Sequence, residues 1–97
     1  MTKPKIVWTK QAKEALKSIY DYYKSKSLQG ARNVKSDLLK SPKTIMFSKQ
    51  YQVDDINPKY RRIVVRHYKV LYKEENGVIQ IVDIVSTRQS PDVLESK

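Results

Sequence analysis

The sequence contains no cysteine and only one histidine, His67. Without cysteine the chain forms no disulfide and has no thiolate to serve as nucleophile or metal ligand. A single imidazole excludes metal sites built from several histidines. Glycine is also scarce, with two residues, and the chain shows no repeat and no low-complexity linker. We therefore expect a protein without a cofactor and without a bound metal.

Long hydrophobic runs are also missing. No apolar stretch approaches the roughly 20 residues that a membrane-spanning helix needs. Residues 1–8 lack the apolar segment of a signal peptide. We therefore expect a cytoplasmic protein that has no membrane partner. The 97 residues suffice for one domain over 1–97, in which 88–97 is predicted to be a C-terminal tail.

Acidic residues are few, because 20 lysines and arginines face 10 aspartates and glutamates, for a formal net charge of +10. Such a charge predicts affinity for an anionic partner, which could be nucleic acid, an anionic membrane or an acidic protein. Charge alone does not choose among the three. Hydrophobic residues make up 39% of the chain, which is enough to form a core.

The first half of the sequence has the spacing of a strand followed by two helices. A short apolar run, 6–8, predicts a strand, and Thr9 is a suitable N-cap for the helix after it. Apolar residues at three- and four-residue intervals then predict one helix over 10–24 and a second over about 28–39. Pro42 ends the second helix, and the short break predicts an antiparallel hairpin. Three apolar residues beyond it are expected to fill the core: Ile45, Met46 and Phe47.

The second half has the alternation of β-strands. Three runs, 60–66, 68–73 and 78–85, are rich in valine, isoleucine and tyrosine, and Asn76-Gly77 is a strong hairpin signal. Arg66-His67 is a weaker turn signal. The order β-α-α-β-β-β predicts an α+β fold, in which an antiparallel helical hairpin packs on a mostly antiparallel four-stranded sheet. The opposite sheet face is expected to display basic side chains.

Taken together, these segments resemble the RelE/ParE superfamily of bacterial toxins, the plasmid-stabilisation toxins of type II toxin–antitoxin systems. The resemblance covers most of the chain, and its parts are short patterns that are specific only in combination. They are Val7-Trp8-Thr9 with Ala12 and Leu16, Ile19-Tyr20-Asp21-Tyr22-Tyr23, Ala31 with Val34, Tyr60-Arg61-Arg62-Ile63-Val64-Val65, Tyr68-Lys69-Val70-Leu71-Tyr72-Lys73, and Ile81-Val82-Asp83-Ile84-Val85-Ser86-Thr87-Arg88-Gln89-Ser90-Pro91.

The resemblance implies a cognate antitoxin that wraps around the toxin, and we expect this antitoxin to be acidic and to form a hetero-oligomer with the toxin. It also implies two alternative activities on one fold. The ParE branch inhibits DNA gyrase without cleaving a substrate, whereas the RelE branch cuts messenger RNA on the ribosome. A non-catalytic nucleic-acid-binding module is a third alternative, although the sequence has no recognised reading motif.

Messenger RNA cleavage would need groups that move protons and stabilise charge on the phosphate. For a RelE-like enzyme the resemblance assigns these roles to Arg61, Lys69 and Arg88, with Arg88 as the best candidate for phosphate stabilisation. The alternative is that these side chains are solvated charges. RelE-like enzymes often have a tyrosine or histidine near the C-terminus, but residues 89–97 contain neither. The ParE-like activity is therefore preferred.

Candidates for contact with the target or the antitoxin are aromatic and basic. Tyr20, Tyr22 and Tyr23 cannot all face the core from one helix, so at least one is expected to be exposed. The predicted contact residues are Tyr20, Tyr23, Arg62, Arg66 and Arg88. His67 carries an imidazole, the side chain that most often serves as a general base, but it is predicted to be an exposed bystander. Asp83 is expected to pair with an arginine such as Arg61 or Arg62.

Overall fold

The computed structural model of the protein describes residues 3–88. The order of elements confirms the prediction: β1 (Lys5–Trp8), α1 (Lys10–Lys24), α2 (Leu28–Lys40), β2 (Arg61–Val65), β3 (Tyr68–Glu75) and β4 (Val78–Ser86), with 3-10 turns at Ser41–Thr44 and Ser48–Gln50. The four strands form one sheet in the order β1-β4-β3-β2, in which β1 runs parallel to β4 and the other pairs are antiparallel. Apart from Arg88, the predicted tail lies outside the described residues.

Both helices begin at a side chain that satisfies a free backbone amide. The Thr9 hydroxyl accepts from the Ala12 amide at 3.2 Å, and the Ser27 hydroxyl accepts from the Gly30 amide at 3.1 Å. Thr9 also donates to the Ile81 carbonyl at 2.9 Å, which ties the start of α1 to β4. Within residues 3–88 no helix is long and apolar enough to cross a membrane.

The core lies between the helical hairpin and one face of the sheet. Cross-strand partners Ile63, Val70 and Ile84 share this face because their positions are paired in register. The buried cluster consists of Ala12, Leu16, Val34, Leu38, Ile45, Ile63, Val70, Tyr72, Ile79, Ile81 and Ile84. Tyr72 is fully buried, and its hydroxyl donates to the Ser48 carbonyl at 2.8 Å, so its polar end is satisfied.

Two tight turns join the last three strands. Asn76 and Gly77 have φ values of 54° and 79°, which confirms the predicted hairpin between β3 and β4. The turn between β2 and β3 also contains a positive φ, 56° at Arg66, which is uncommon for a residue with a side chain. Contacts from outside the turn hold it: the Arg66 guanidinium contacts the Asp37 carboxylate at 2.7 Å, and the Thr87 amide donates to the His67 carbonyl at 2.8 Å.

The prediction that residues 45–47 fill the core is wrong for two of the three. Ile45 is buried, but Met46 and Phe47 are 50% and 60% exposed. The side chain of Gln50 folds back on this loop, accepts from the Met46 amide at 2.7 Å and donates to the Thr44 carbonyl at 3.0 Å. The loop is therefore held in a turn that leaves only one of the three apolar side chains facing inward.

The sheet face opposite the hairpin, called the open face below, is not fully exposed. It carries Arg62, Val64, Lys69, Leu71, Asp83 and Val85. The chain between the second 3-10 turn and β2 folds over it, with an isolated bridge from Val53 to Arg61, and buries Leu71 and Lys69. The expected display of exposed basic side chains on this face is therefore only partly correct.

Candidate functional site

The centre of the open face is an ion pair between Lys69 and Asp54. The Lys69 amine lies 2.7 Å from the Asp54 carboxylate, and Asp54 is completely buried. The Asn57 amide donates to the other carboxylate oxygen at 2.8 Å. Lys69 is therefore not one of the solvated charges that the sequence suggests, because its charge is neutralised by a partner inside the fold.

The pKa of Asp54 reports the balance of these contacts. Burial alone would raise the pKa of this carboxyl group. The hydrogen bond from Lys69, the backbone hydrogen bonds of Asn57 and Ile56, and the charge of Lys69 outweigh burial, so the pKa of Asp54 lies below its ordinary value. The carboxylate is thus ionised at neutral pH and keeps the Lys69 ammonium in place.

Arg62 lies beside this pair and is held by the same segment of chain. Its guanidinium lies 3.7 Å from the Asp54 carboxylate and 3.4 Å from that of Asp55, and donates to the Val53 carbonyl at 3.0 Å. A cleft of about 320 Å³ opens next to it, between the 55–57 loop and the end of β4. Arg62 therefore reaches this cleft with most of its donors already engaged.

Arg61 and Arg88 lie at two other places on the molecule. The Arg61 guanidinium donates to the Tyr51 carbonyl at 2.8 Å and lines a small cleft with Ser48 and Tyr72 at the edge of the sheet. Arg88 follows β4 and lies on the helix-covered side. The three cations of the nuclease hypothesis, Arg61, Lys69 and Arg88, therefore line three different clefts and do not converge.

Arg88 lines an open groove between the C-terminal half of α1 and the ends of β3 and β4, called the tyrosine groove. It has a volume of about 400 Å³ and is lined by Ser18, Ile19, Tyr22, Tyr23, His67, Tyr68, Ser86 and Arg88. Tyr22 is 57% exposed, which confirms that one tyrosine of the cluster faces outward. Its ring packs edge-on against that of Tyr23 at 5.1 Å between centroids. The groove thus combines exposed aromatic surface with a cation.

Tyr68 forms the floor of this groove, where its hydroxyl lies 3.5 Å from that of Tyr23. Burial, together with the interaction with Tyr23, raises the pKa of Tyr68 to about 12. The raised pKa stabilises the folded protein fully below about pH 10, the ordinary value, and this contribution is lost as the pH rises toward 12. Burial raises the pKa of Tyr72 as well, so we expect ultraviolet titration of the folded protein to show late tyrosinate ionisation from both residues. Tyr68→Phe should remove the Tyr68 part of this late ionisation and leave the Tyr72 part.

The remaining predicted contact residues are dispersed. Tyr20 lies on the outer side of the helical hairpin, where the Lys35 amine sits 5.1 Å from its ring centroid. Arg66 is half-exposed in its ion pair with Asp37. The expected pairing of Asp83 with Arg61 or Arg62 is wrong, since Asp83 accepts from the Gln11 side chain at 2.9 Å.

The tyrosine groove brings Tyr23 and Arg88 together, whereas Arg62 belongs to the open face. The residue that sequence reasoning missed is Asp54. The one available signal was an acidic pair, Asp54-Asp55, in a basic chain, ahead of two strands with basic side chains. Among residues 3–88 no group of three histidine, aspartate or glutamate side chains is placed to hold a metal ion.

A family model described as "ParE toxin of type II toxin-antitoxin system, parDE" matches residues 6–91. The chain belongs to this ParE toxin family. The match includes both helices, the tyrosine groove and all four strands, except for Lys5 at the start of β1. Membership of the ParE family confirms the resemblance and identifies the chain as a ParE-like toxin.

Among solved structures, this ParE-family chain is similar to one described as the chromosomal ParDE toxin–antitoxin system from P. aeruginosa. The TM-score is 0.77 at 19% sequence identity, and the likeness covers 88% of this chain and 97% of that one. At this identity the likeness shows the fold alone. No curated protein gives a significant match to the sequence.

Proposed function

We propose that this ParE-like toxin acts by binding and inhibiting DNA gyrase, without cleaving a substrate. The observation that supports this proposal best is the separation of Arg61, Lys69 and Arg88 into three clefts. Phosphodiester cleavage needs its proton-transfer and charge-stabilising groups within hydrogen-bond reach of one phosphate. Side chains that line three separate clefts do not meet this requirement together.

The state of Lys69 supports the same proposal. Its amine is committed to Asp54 at 2.7 Å, and little of its side chain reaches solvent. Using it to bind a phosphate would leave the buried Asp54 carboxylate without its main partner, which is costly. Lys69 is therefore suited to holding the 54–57 loop on the sheet rather than to chemistry on RNA.

A type II toxin has an antitoxin partner, and we propose that the antitoxin of this chain is acidic and forms a hetero-oligomer with it. The net charge of +10 favours association with an acidic segment and accelerates it at low salt. We propose the tyrosine groove as the surface that contacts gyrase, because Tyr22, Tyr23 and Arg88 are the residue types that dominate protein interfaces.

Two assays run in parallel on the purified toxin test this proposal. Gyrase supercoiling is measured with increasing toxin, and messenger RNA 5′ ends are mapped in a translation reaction with the same toxin preparation. We expect supercoiling to fall while the pattern of messenger RNA ends stays unchanged. Cuts in phase with codons, together with intact supercoiling, would contradict the proposal and favour the RelE-like activity.

A further inference from the structure

The helical hairpin carries a cluster of cations that has no role in the toxin activity proposed above. A groove of about 480 Å³ runs along its outer side, here called the basic cleft, and is lined by Tyr20, Arg32, Lys35, Ser36, Leu39, Lys40 and Lys43. Four of these seven residues are cationic and none is acidic. We propose that the basic cleft binds the phosphate backbone of duplex DNA, without reading its sequence.

The cations of the basic cleft are available to a ligand. Four cations line the cleft and are exposed: Arg32, Lys35, Lys40 and Lys43. None of them forms an ion pair within the described part of the chain. The acidic residue that α2 carries, Asp37, is paired with Arg66. No carboxylate of the described chain therefore neutralises the cleft, and its positive potential is directed at solvent.

The wider surroundings add to this potential. Residues 10–44, which form the hairpin and the turn after it, contain nine lysines and arginines but only three acidic residues. The cleft itself offers one exposed apolar side chain, Leu39. An apolar protein segment would therefore bury little hydrophobic surface here, and affinity must come mainly from charge.

The arrangement of the cations favours a duplex over a single strand. Arg32 and Lys40 are eight residues apart on α2, which places them about 12 Å from each other along a rigid helix. A duplex presents phosphates at short, regular intervals that such a fixed row can meet, with one charge per about 1.7 Å of its axis. Binders of single strands rely on open aromatic faces for base stacking, but Lys35 covers the ring of Tyr20.

The test measures binding of the whole protein to a fluorescent duplex of about 30 base pairs between about 50 and 200 mM salt. A cleft variant carries Arg32→Ala, Lys35→Ala and Lys40→Ala. A control variant of equal net charge carries alanine at three exposed lysines elsewhere: Lys5, Lys49 and Lys59. Circular dichroism checks that both variants are folded, and Lys35→Arg with Lys40→Arg retains the charges of the cleft.

We expect the cleft variant to bind at least about tenfold more weakly at the lowest salt. Its salt slope should fall by about 2 to 3, because each phosphate that the cleft no longer neutralises removes roughly 0.9 from the slope. The control variant should change the slope by less than about 1, and the arginine variant should bind like the wild type. Equal weakening in the cleft and control variants would overturn the proposal, because binding would then reflect net charge alone.

Two further outcomes would also overturn it. Tighter binding of a single strand of the same length would contradict the assignment to a duplex. Displacement of the duplex by a polyglutamate peptide, at lower concentration than by unlabelled duplex, would assign the cleft to an acidic protein segment. Gyrase inhibition is measured separately on the cleft variant, and we expect it to be retained, since the tyrosine groove is unchanged.

Discussion

Replacing Asp54 with alanine is expected to lower the free energy of unfolding by about 3–5 kcal/mol, measured by urea denaturation at neutral pH. The reason is that Lys69 would remain in a buried position without the carboxylate that now lies 2.7 Å from its amine. The variant would also lose the acceptor of the Asn57 amide and with it the anchor of the 54–57 loop. A loss of this size is a large share of the stability of a domain of this length.

Asp55→Ala provides the matched control, because it removes the neighbouring carboxylate, whose side chain is 82% exposed. We expect it to change the free energy of unfolding by less than about 0.5 kcal/mol. Combining Asp54→Leu with Lys69→Met should recover most of the stability, since an apolar pair replaces a buried ion pair without leaving a lone charge. Equal losses in the free energy of unfolding for Asp54→Ala and Asp55→Ala would show that the Asp54–Lys69 ion pair does not stabilise the fold.

The same pair predicts how stability depends on pH. The pKa of Asp54 is lower in the folded protein than in the unfolded chain, so its contribution is complete above the unfolded value of about 3.9. It is lost as the pH falls through the folded value. Urea denaturation from pH 7 down to pH 2 should therefore show a steeper decline for the wild type than for the double variant that carries Asp54→Leu and Lys69→Met.

On the proposed function, alanine at Tyr22 is expected to have the largest functional effect. It should raise the toxin concentration for half-inhibition of gyrase by about 30-fold, the equivalent of a contact of about 2 kcal/mol. Tyr22 is the most exposed aromatic side chain of the tyrosine groove, and Arg88 lies in the same groove. Arg88→Ala is expected to raise this concentration by about tenfold. Supercoiling assays at graded toxin concentrations measure both effects.

A matched control for these variants is Lys49→Ala, which removes an exposed side chain from another part of the surface. It should leave both inhibition and thermal stability unchanged. The melting temperatures of the Tyr22 and Arg88 variants should stay close to that of the wild type, because both side chains are exposed. Full inhibitory potency in the Tyr22 variant would assign gyrase binding to a different surface.

The helices and strands could be predicted because their signals are local. The apolar spacing and the Thr9 cap predict a first helix over the bounds that the structure shows, Lys10–Lys24. Asn76-Gly77 similarly predicts the last hairpin, since both residues tolerate the positive φ that the turn requires. In each case the decisive interactions join residues only a few positions apart in the chain.

The open face could not be predicted because its contacts join distant parts of the sequence. Asp54 and Lys69 are fifteen positions apart, and Gln11 and Asp83 are 72 apart. The sequence shows the charges but not which of them meet, so it suggests a solvated Lys69 and an arginine partner for Asp83. The turn lies at Arg66-His67, where the sequence gives a weak signal, but the contact that holds it could not be predicted because Asp37 lies on α2.

The position of β4 has a consequence for how the chain acquires its structure. β4 is the last strand in sequence but lies inside the sheet, between β1 and β3, and Lys5 pairs with Val78. Joining β1 to β4 closes a loop of about seventy residues. Closing so long a loop costs conformational entropy, and this cost slows folding. A nascent chain that ends before β4 thus holds β1 without a neighbouring strand and Val70 without its partner Ile84. We expect such a fragment to be unable to adopt the toxin fold, so that synthesis of β4 marks the moment at which activity can begin.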